Sequence, residues 1–152
     1  MGTPEFAVPI LDIIHSRHEV ALAVSQPDQY NHRKKKATSP PVAVYANEKG
    51  IPLIQPEKIK DAAGIIASLQ ADLIVTAAYG QFVPKKIIEH PRFKSINVHA
   101  SLLPRHRGGA PIQRAIINGD AETGVSIIYM TPKMDAGDIL AHVGKDFGRT
   151  EQ

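Results

Sequence analysis

Leu73-Ile74-Val75-Thr76, running into Ala77-Ala78-Tyr79-Gly80, is the stretch that decides the fold class. Four apolar or β-branched residues in succession, with no polar residue between them, suit a strand covered on both faces. A strand with one wet face would alternate instead. Working outward, a weakly amphipathic helix is predicted before this run, from about Ile59 to Leu69, and helix and strand are predicted after it at Val83 to Glu89 and Ser95 to Val98. Towards the N-terminus, Thr3-Pro4 reads as an N-cap with proline in the first turn of a helix reaching about Arg17, followed by a strand at Val20 to Val24. Pro41 to Lys49, closed by Gly50, is a further helix, and Pro52 to Ile54 a short strand. Towards the C-terminus, Pro111 to Asn118 reads as helix, and Gly124 to Met130 and Ile139 to Val143 as strands. Alternation of this kind predicts an α/β, doubly wound, mostly parallel sheet with helices on both faces, a class that binds ligands beyond the carboxyl ends of its strands. Gly2-Thr3-Pro4 looks like the turn leaving a first strand, yet no strand precedes it. The central first strand is therefore expected to be missing, which would leave its neighbours with unpaired backbone groups.

A chain of 152 residues, 43% hydrophobic and 22% charged, can bury one core and is too short for two ordinary domains. Its apolar runs are far too short to span a bilayer, and MGTPEFAVPI lacks the basic and apolar regions of a secretory signal. The absence of cysteine excludes disulfides and thiolate metal sites and fits a reducing, cytoplasmic setting. A formal charge of +3 says little. Its distribution says more, because Arg33-Lys34-Lys35-Lys36 are consecutive within QPDQYNHRKKKATSPP, where Pro, Asn and Ser predict an irregular loop from Gln26 to Pro40. Such a run is either a solvated face or a phosphate contact.

Three stretches carry candidate chemistry. In Ile96-Asn97-Val98-His99, the amide and the imidazole alternate along a strand and so share one face where the strand gives way to SLLPRHRGGAPI. An amide can hold an oxyanion and an imidazole can donate a hydrogen bond or exchange a proton; the same pair can equally cap the strand against backbone. In Met134-Asp135-Ala136-Gly137-Asp138, two carboxylates flank a glycine after a strand, which suits a turn, a cation site, or a group that orients a histidine. Metal binding is disfavoured, since His15, His18, His32, His90, His106 and His142 are scattered. In Ala77-Ala78-Tyr79-Gly80-Gln81-Phe82-Val83-Pro84, small and apolar residues can wall a flat heterocycle, or form an ordinary turn for which Gly80 supplies the backbone freedom. No GxGxxG, P-loop or GxSxG motif is present, so the usual nucleotide and hydrolase readings of an α/β sheet lack support.

In order and spacing, MGTPEFAVPIL, QPDQ with SPPV, AAYGQFVP, NVHASLLPRHRGGAPIQ, GDAETGVSI and MDAGD resemble the folate-dependent formyltransferase superfamily, and within it the branch that acts on methionyl-tRNA. The resemblance covers about Met1 to Leu140. The superfamily shares Asn-x-His followed 36 residues later by Asp, the register of Asn97, His99 and Asp135. It implies a Rossmann-like catalytic domain that transfers the formyl group of 10-formyltetrahydrofolate to the α-amino group of methionine on initiator tRNA, with no metal. Asn97, His99 and Asp135 would be catalytic. Gln81, Phe82 and Val83 would lie against the pterin, and Ser101, Leu102, Leu103 and Pro104 would line the folate side. Arg33, Lys34, Lys35 and Lys36 would contact the tRNA, although Tyr30-Asn31-His32 departs from the family's usual Pro and Gly. Set against the family, residues 1–152 are expected to be an incomplete catalytic domain without the C-terminal tRNA-binding barrel, with little activity alone, and residues 141–152 carry no usable motif. The competing readings are a formyltransferase for an amino sugar nucleotide or glycinamide ribonucleotide, and a noncatalytic RNA- or nucleotide-binding module.

Overall fold

A computed structural model describes residues 1–146 of the chain; residues 147–152, the end of the motif-free tail, lie outside it. A 3-10 turn at Glu5–Ala7 leads into α1 (Val8–Arg17), then β1 (Ala23–Val24), β2 (Gln29–Asn31), β3 (Lys36–Thr38), α2 (Pro41–Glu48) and β4 (Leu53–Ile54). A second 3-10 turn, Ile59–Ala62, opens α3 (Ala63–Ser68), followed by β5 (Ile74–Thr76), α4 (Lys85–Ile88), β6 (Ser95–His99), α5 (Pro111–Ile117), β7 (Glu122–Tyr129) and β8 (Ile139–Asp146). Helices α1, α2 and α5 each carry proline in the first turn, where the missing N–H costs nothing because that donor has no partner inside the helix. Thr3 does not cap α1 as the sequence suggests. Its hydroxyl donates to the Tyr79 carbonyl at 2.7 Å and accepts from the Gln26 amide at 3.3 Å, so it ties two loops together instead.

Strand β1 pairs in parallel with β4, and β5 with β6. Between these pairs lies Met1-Gly2: the Gly2 amide donates to Val24 and the Ala77 amide to Met1, both at 2.9 Å, while the Met1 amine donates to Val75 at 2.6 Å. No strand precedes the first turn, as expected, but the gap is narrowed. Two residues occupy the central position and make one hydrogen bond to Val24 and two to residues 75 and 77. The mostly parallel sheet holds from β4 to β6, and it is the far edge that reverses: β7 runs antiparallel to β6, and β8 antiparallel to β7. The β7–β8 connection, residues 130–138, is shorter than a parallel crossover requires. Periodicity reports burial rather than strand direction, so this reversal was invisible to it. The basic segment also departs from expectation. It forms an antiparallel hairpin of β2 and β3 rather than an irregular loop, with Asn31 Oδ1 accepting from the amides of Arg33 and Lys34 at 3.0 and 3.1 Å and Lys35 in the left-handed region.

Adjacent residues of β1 point to opposite faces and enter different clusters. Val24 packs with Ile59, Ile66, Ile74, Tyr79 and Ile87, under α3 and α4. Ala23 packs with Ala46, Ile51 and Leu11, under α1 and α2. Helices thus cover both faces, as the alternation predicts. Val98 packs on the α1 side with Ala7, Val42 and Ala77, so its neighbours Asn97 and His99 project to the other face at the carboxyl end of β6.

The position of Met1 has a measurable consequence. Burial pushes its α-amino group down from 8.0 to about 5, because the cation loses hydration in the sheet. The unfolded chain then holds this proton more tightly, so stability is full above pH 8 and drains as the pH falls towards 5. Urea unfolding of the chain bearing a free Met1 amine is expected to show a loss of roughly 3 kcal/mol across that interval.

Candidate active site

The carboxyl ends of β5 and β6 and the loop after β7 build one site. Thr76 stands opposite Asn97 in the parallel register, and its buried hydroxyl donates to Asn97 Oδ1 at 2.7 Å. With its oxygen held in this way, the amide presents its N–H groups to the cleft. His99 closes β6. Its Nε2 donates to the His106 carbonyl at 2.8 Å, and its Nδ1 lies 3.6 Å from Asp135 Oδ2, with both side chains under 10% exposed. That separation is too long for a good hydrogen bond but is an ion pair whenever the ring is charged. Asp135 sits in the left-handed region at φ 51°, and its Oδ2 accepts from the Gly108 amide at 2.7 Å. The three residues read from the sequence therefore come together, with Asp135 arriving from a separate segment.

They face a cleft of about 750 Å³, within the range of small-molecule sites, whose apolar wall includes Phe82, Val83, Ile88, Met130 and Met134. Phe82 and Met134 are each 67% exposed. Tyr79 also lines it, and burial pushes its hydroxyl above the ordinary value, keeping it neutral. Gly80, at φ 94°, allows the turn that brings this wall round. Gln81 borders the cleft, but its amide is occupied elsewhere: Oε1 accepts from Ile59 at 2.8 Å, and Nε2 donates to Gln26 Oε1 at 2.8 Å and to the Pro56 carbonyl at 3.1 Å.

Ser101, Leu102, Leu103 and Pro104, which the resemblance places on the folate side, are not among the residues lining the cleft. Ser101 is buried and donates to the Arg105 carbonyl at 2.6 Å. The Leu102 side chain lies against Gly124 and Gly144 of the antiparallel strands. Apolar side chains here follow the sheet, which draws this loop down and away from the opening. Ser126, fully buried on β7, clamps it: its hydroxyl accepts from the Leu103 amide at 3.1 Å and donates to the Ser101 carbonyl at 2.7 Å. Ser126→Ala strands both groups, and a loss of about 1–3 kcal/mol is expected in urea unfolding.

Arg33, Lys34, Lys35 and Lys36 are exposed at the hairpin tip and do not line the cleft. Tyr30 and His32 meet edge to face beside them at 4.9 Å. Sequence reasoning missed Thr76, Gly108 and Ser126 as supports of the site. Thr76 was findable by pairing the two strands, whereas the others act through contacts that no local pattern announces. His106, taken as scattered, is paired with Asp120 at 2.6 Å. Among the described residues, no group of three His, Asp or Glu side chains gathers as a metal site.

Residues 1–146 match the family model described as formyl transferase. The methionyl-tRNA formyltransferase of Bacillus licheniformis is 52% identical over 154 residues, covering 99% of this chain and 49% of that protein. That of Halalkalibacterium halodurans is 53% identical over 146 residues, covering 94% and 46%. The chain thus spans about half the length of these relatives. Among solved structures, the phosphoribosylglycinamide formyltransferase from Bacillus halodurans superposes with a TM-score of 0.80 at 22% identity, covering 99% of this chain and 80% of that one. A formyltetrahydrofolate deformylase from Pseudomonas syringae does so with a TM-score of 0.74 at 21% identity, covering 96% and 50%. At such identities the superpositions speak for the fold alone, but the family model spans nearly every residue, and on that ground the chain belongs to the formyl transferase family.

Proposed function

We propose that the protein transfers a formyl group from 10-formyltetrahydrofolate to the α-amino group of methionine carried by initiator tRNA. The observation that carries this reading is the convergence of Asn97, His99 and Asp135 on one apolar-walled cleft, in a chain about half identical to methionyl-tRNA formyltransferases over nearly its whole length. Phe82, Val83 and the backbone around Gln81 form the wall for the pterin. Ser101 to Pro104 contribute from below, by holding the segment on which His99 rests. The amine attacks the formyl carbon directly, the bond from that carbon to the folate nitrogen breaks, and in net terms the proton lost by the amine ends on that departing nitrogen. Negative charge gathers on the formyl oxygen meanwhile. Asn97 N–H groups would meet it as donors fixed in advance, and a protonated His99, with Nε2 on the His106 carbonyl and Nδ1 towards Asp135, would add its positive charge beside it; both are worth more in a partly dry cleft than in water. Asp135 orients the ring and balances its charge. The cationic tip Arg33 to Lys36 would take phosphates of the tRNA, a contact that weakens as salt rises.

In this reading residues 1–152 belong to the catalytic domain of a longer cytoplasmic enzyme, whose C-terminal barrel helps to hold the tRNA; the length of the relatives leaves room for it. The test offers the intact protein 10-formyltetrahydrofolate with methionyl-tRNA, glycinamide ribonucleotide or an amino sugar nucleotide. Consumption with methionyl-tRNA alone is expected, and equal or faster consumption with either of the others would overturn the assignment of the acceptor.

A further inference from the structure

His99 and Asp135 are held by one short piece of chain. The His106 carbonyl accepts from His99 Nε2 at 2.8 Å, and two residues later the Gly108 amide donates to Asp135 Oδ2 at 2.7 Å. Movement of residues 106–108 would release both contacts together. His106 has φ 55°, a left-handed conformation that a residue with a side chain rarely adopts unless its surroundings impose it, whereas Gly108 takes φ 83° freely. Ser101 holds the Arg105 carbonyl and Arg114 the Arg107 carbonyl, while His106 is anchored through its own side chain, whose Nε2 lies 2.6 Å from Asp120 Oδ2, with the pair 12% and 17% exposed. Asp120 is fixed in turn, because its amide donates to the Ala115 carbonyl at 3.0 Å as the chain leaves α5, two residues before β7 begins.

The geometry points to His106 and Asp120 as positioning residues: a second imidazole–carboxylate pair that sets His99 and Asp135 from outside the cleft, through the backbone of residues 106–108. Neither side chain is among the groups lining the cleft, so the pair acts only through that backbone. This rests on the proposed catalytic use of His99, and it deepens that reading by naming what aims the ring. With the pair intact, His99 Nε2 keeps its proton on the His106 carbonyl and Nδ1 keeps facing Asp135. Without it, His106 relaxes to an extended conformation and its carbonyl leaves the ring.

The experiment follows the imidazole nitrogens of His99 by 15N NMR in the intact protein, in Asp120→Ala and in His106→Phe, with Asp12→Ala as a distant control. Asp12 is exposed and bonded to Tyr45, away from the site. Both site variants are expected to lose the fixed Nε2–H signature of His99, the control to keep it, and kcat to fall by on the order of tenfold to a hundredfold with KM changed less than about threefold. If either variant folds and leaves the His99 signals as in the parent, the positioning role is overturned whatever the activity shows. Failure of the catalytic reading looks different: His99→Ala would then turn over like the parent while the ring signals in the parent still respond to Asp120→Ala.

Discussion

Asn97→Ala is expected to lower kcat for formyl transfer by on the order of a hundredfold to a thousandfold, the usual cost of removing one donor aimed at a developing oxyanion. The donor matters only once charge has moved onto the oxygen, so KM for the folate is expected to change by less than about threefold, and the loss falls on kcat and kcat/KM alike. Asn97→Asp separates this from a packing effect. It keeps the shape of the side chain and an oxygen towards Thr76, but replaces the N–H groups with a carboxylate oxygen that repels the charge it should stabilise. The aspartate variant is expected to be at least as impaired as the alanine variant. Activity near the parent level in Asn97→Asp would end the oxyanion role. His99→Ala should cost a similar factor, and the double variant little more than either single one, since groups that serve one oxygen do not contribute additively. Stability should barely move, because the side chain is partly exposed and, among the described residues, its bond is to a hydroxyl that also lies within 3.4 Å of the Ile96 carbonyl.

Gly137→Ala is expected to act by the opposite route, through the fold. A Cβ at this position would overlap the carbonyl oxygen of Tyr129, and that oxygen is backbone in a hydrogen-bonded strand. It has little freedom to yield: Tyr129 pairs with Ile96 across the sheet, its amide donates to the Asp138 carbonyl at 3.0 Å, and the next amide, Met130, donates to Ser95 at 2.9 Å. The loop must move instead, carrying Asp135 with it. A destabilisation of at least about 3 kcal/mol is expected, at the upper end of what overpacking costs, together with loss of turnover. Thermal unfolding reads the first effect and the formyl transfer assay the second. Unchanged Tm in Gly137→Ala would mean that the loop does not pack against β7 as described.

The two substitutions divide what local pattern carries from what the assembled sheet carries. Asn97 and His99 were legible because a strand places alternate residues on one face, and Asp135 because its spacing from them matches a family pattern. Gly137 was legible only as a turn glycine. That a strand carbonyl leaves no room for a side chain there follows from the antiparallel return of β8, which no period in the sequence encodes. The same return explains Ser101 to Pro104. They adjoin His99 in the chain but face the β7–β8 layer, whose small residues Gly124 and Gly144 accept Leu102.

By itself the sequence determined the α/β alternation, the covering of Ile74 to Thr76 within the expected run Leu73 to Thr76, of which Leu73 is 40% exposed, the family, and the three polar residues Asn97, His99 and Asp135, because each depends on side-chain order along a few residues or on a matched spacing. Tertiary structure alone decided the direction of β7 and β8, the use of Met1-Gly2 as the central rung of the sheet, and the segment 106–108, left-handed at His106 and Gly108, that reaches both His99 and Asp135. These depend on which distant backbone groups meet. A backbone donor or acceptor is the same at every residue, so its partner leaves no mark on the identity of the side chain that carries it.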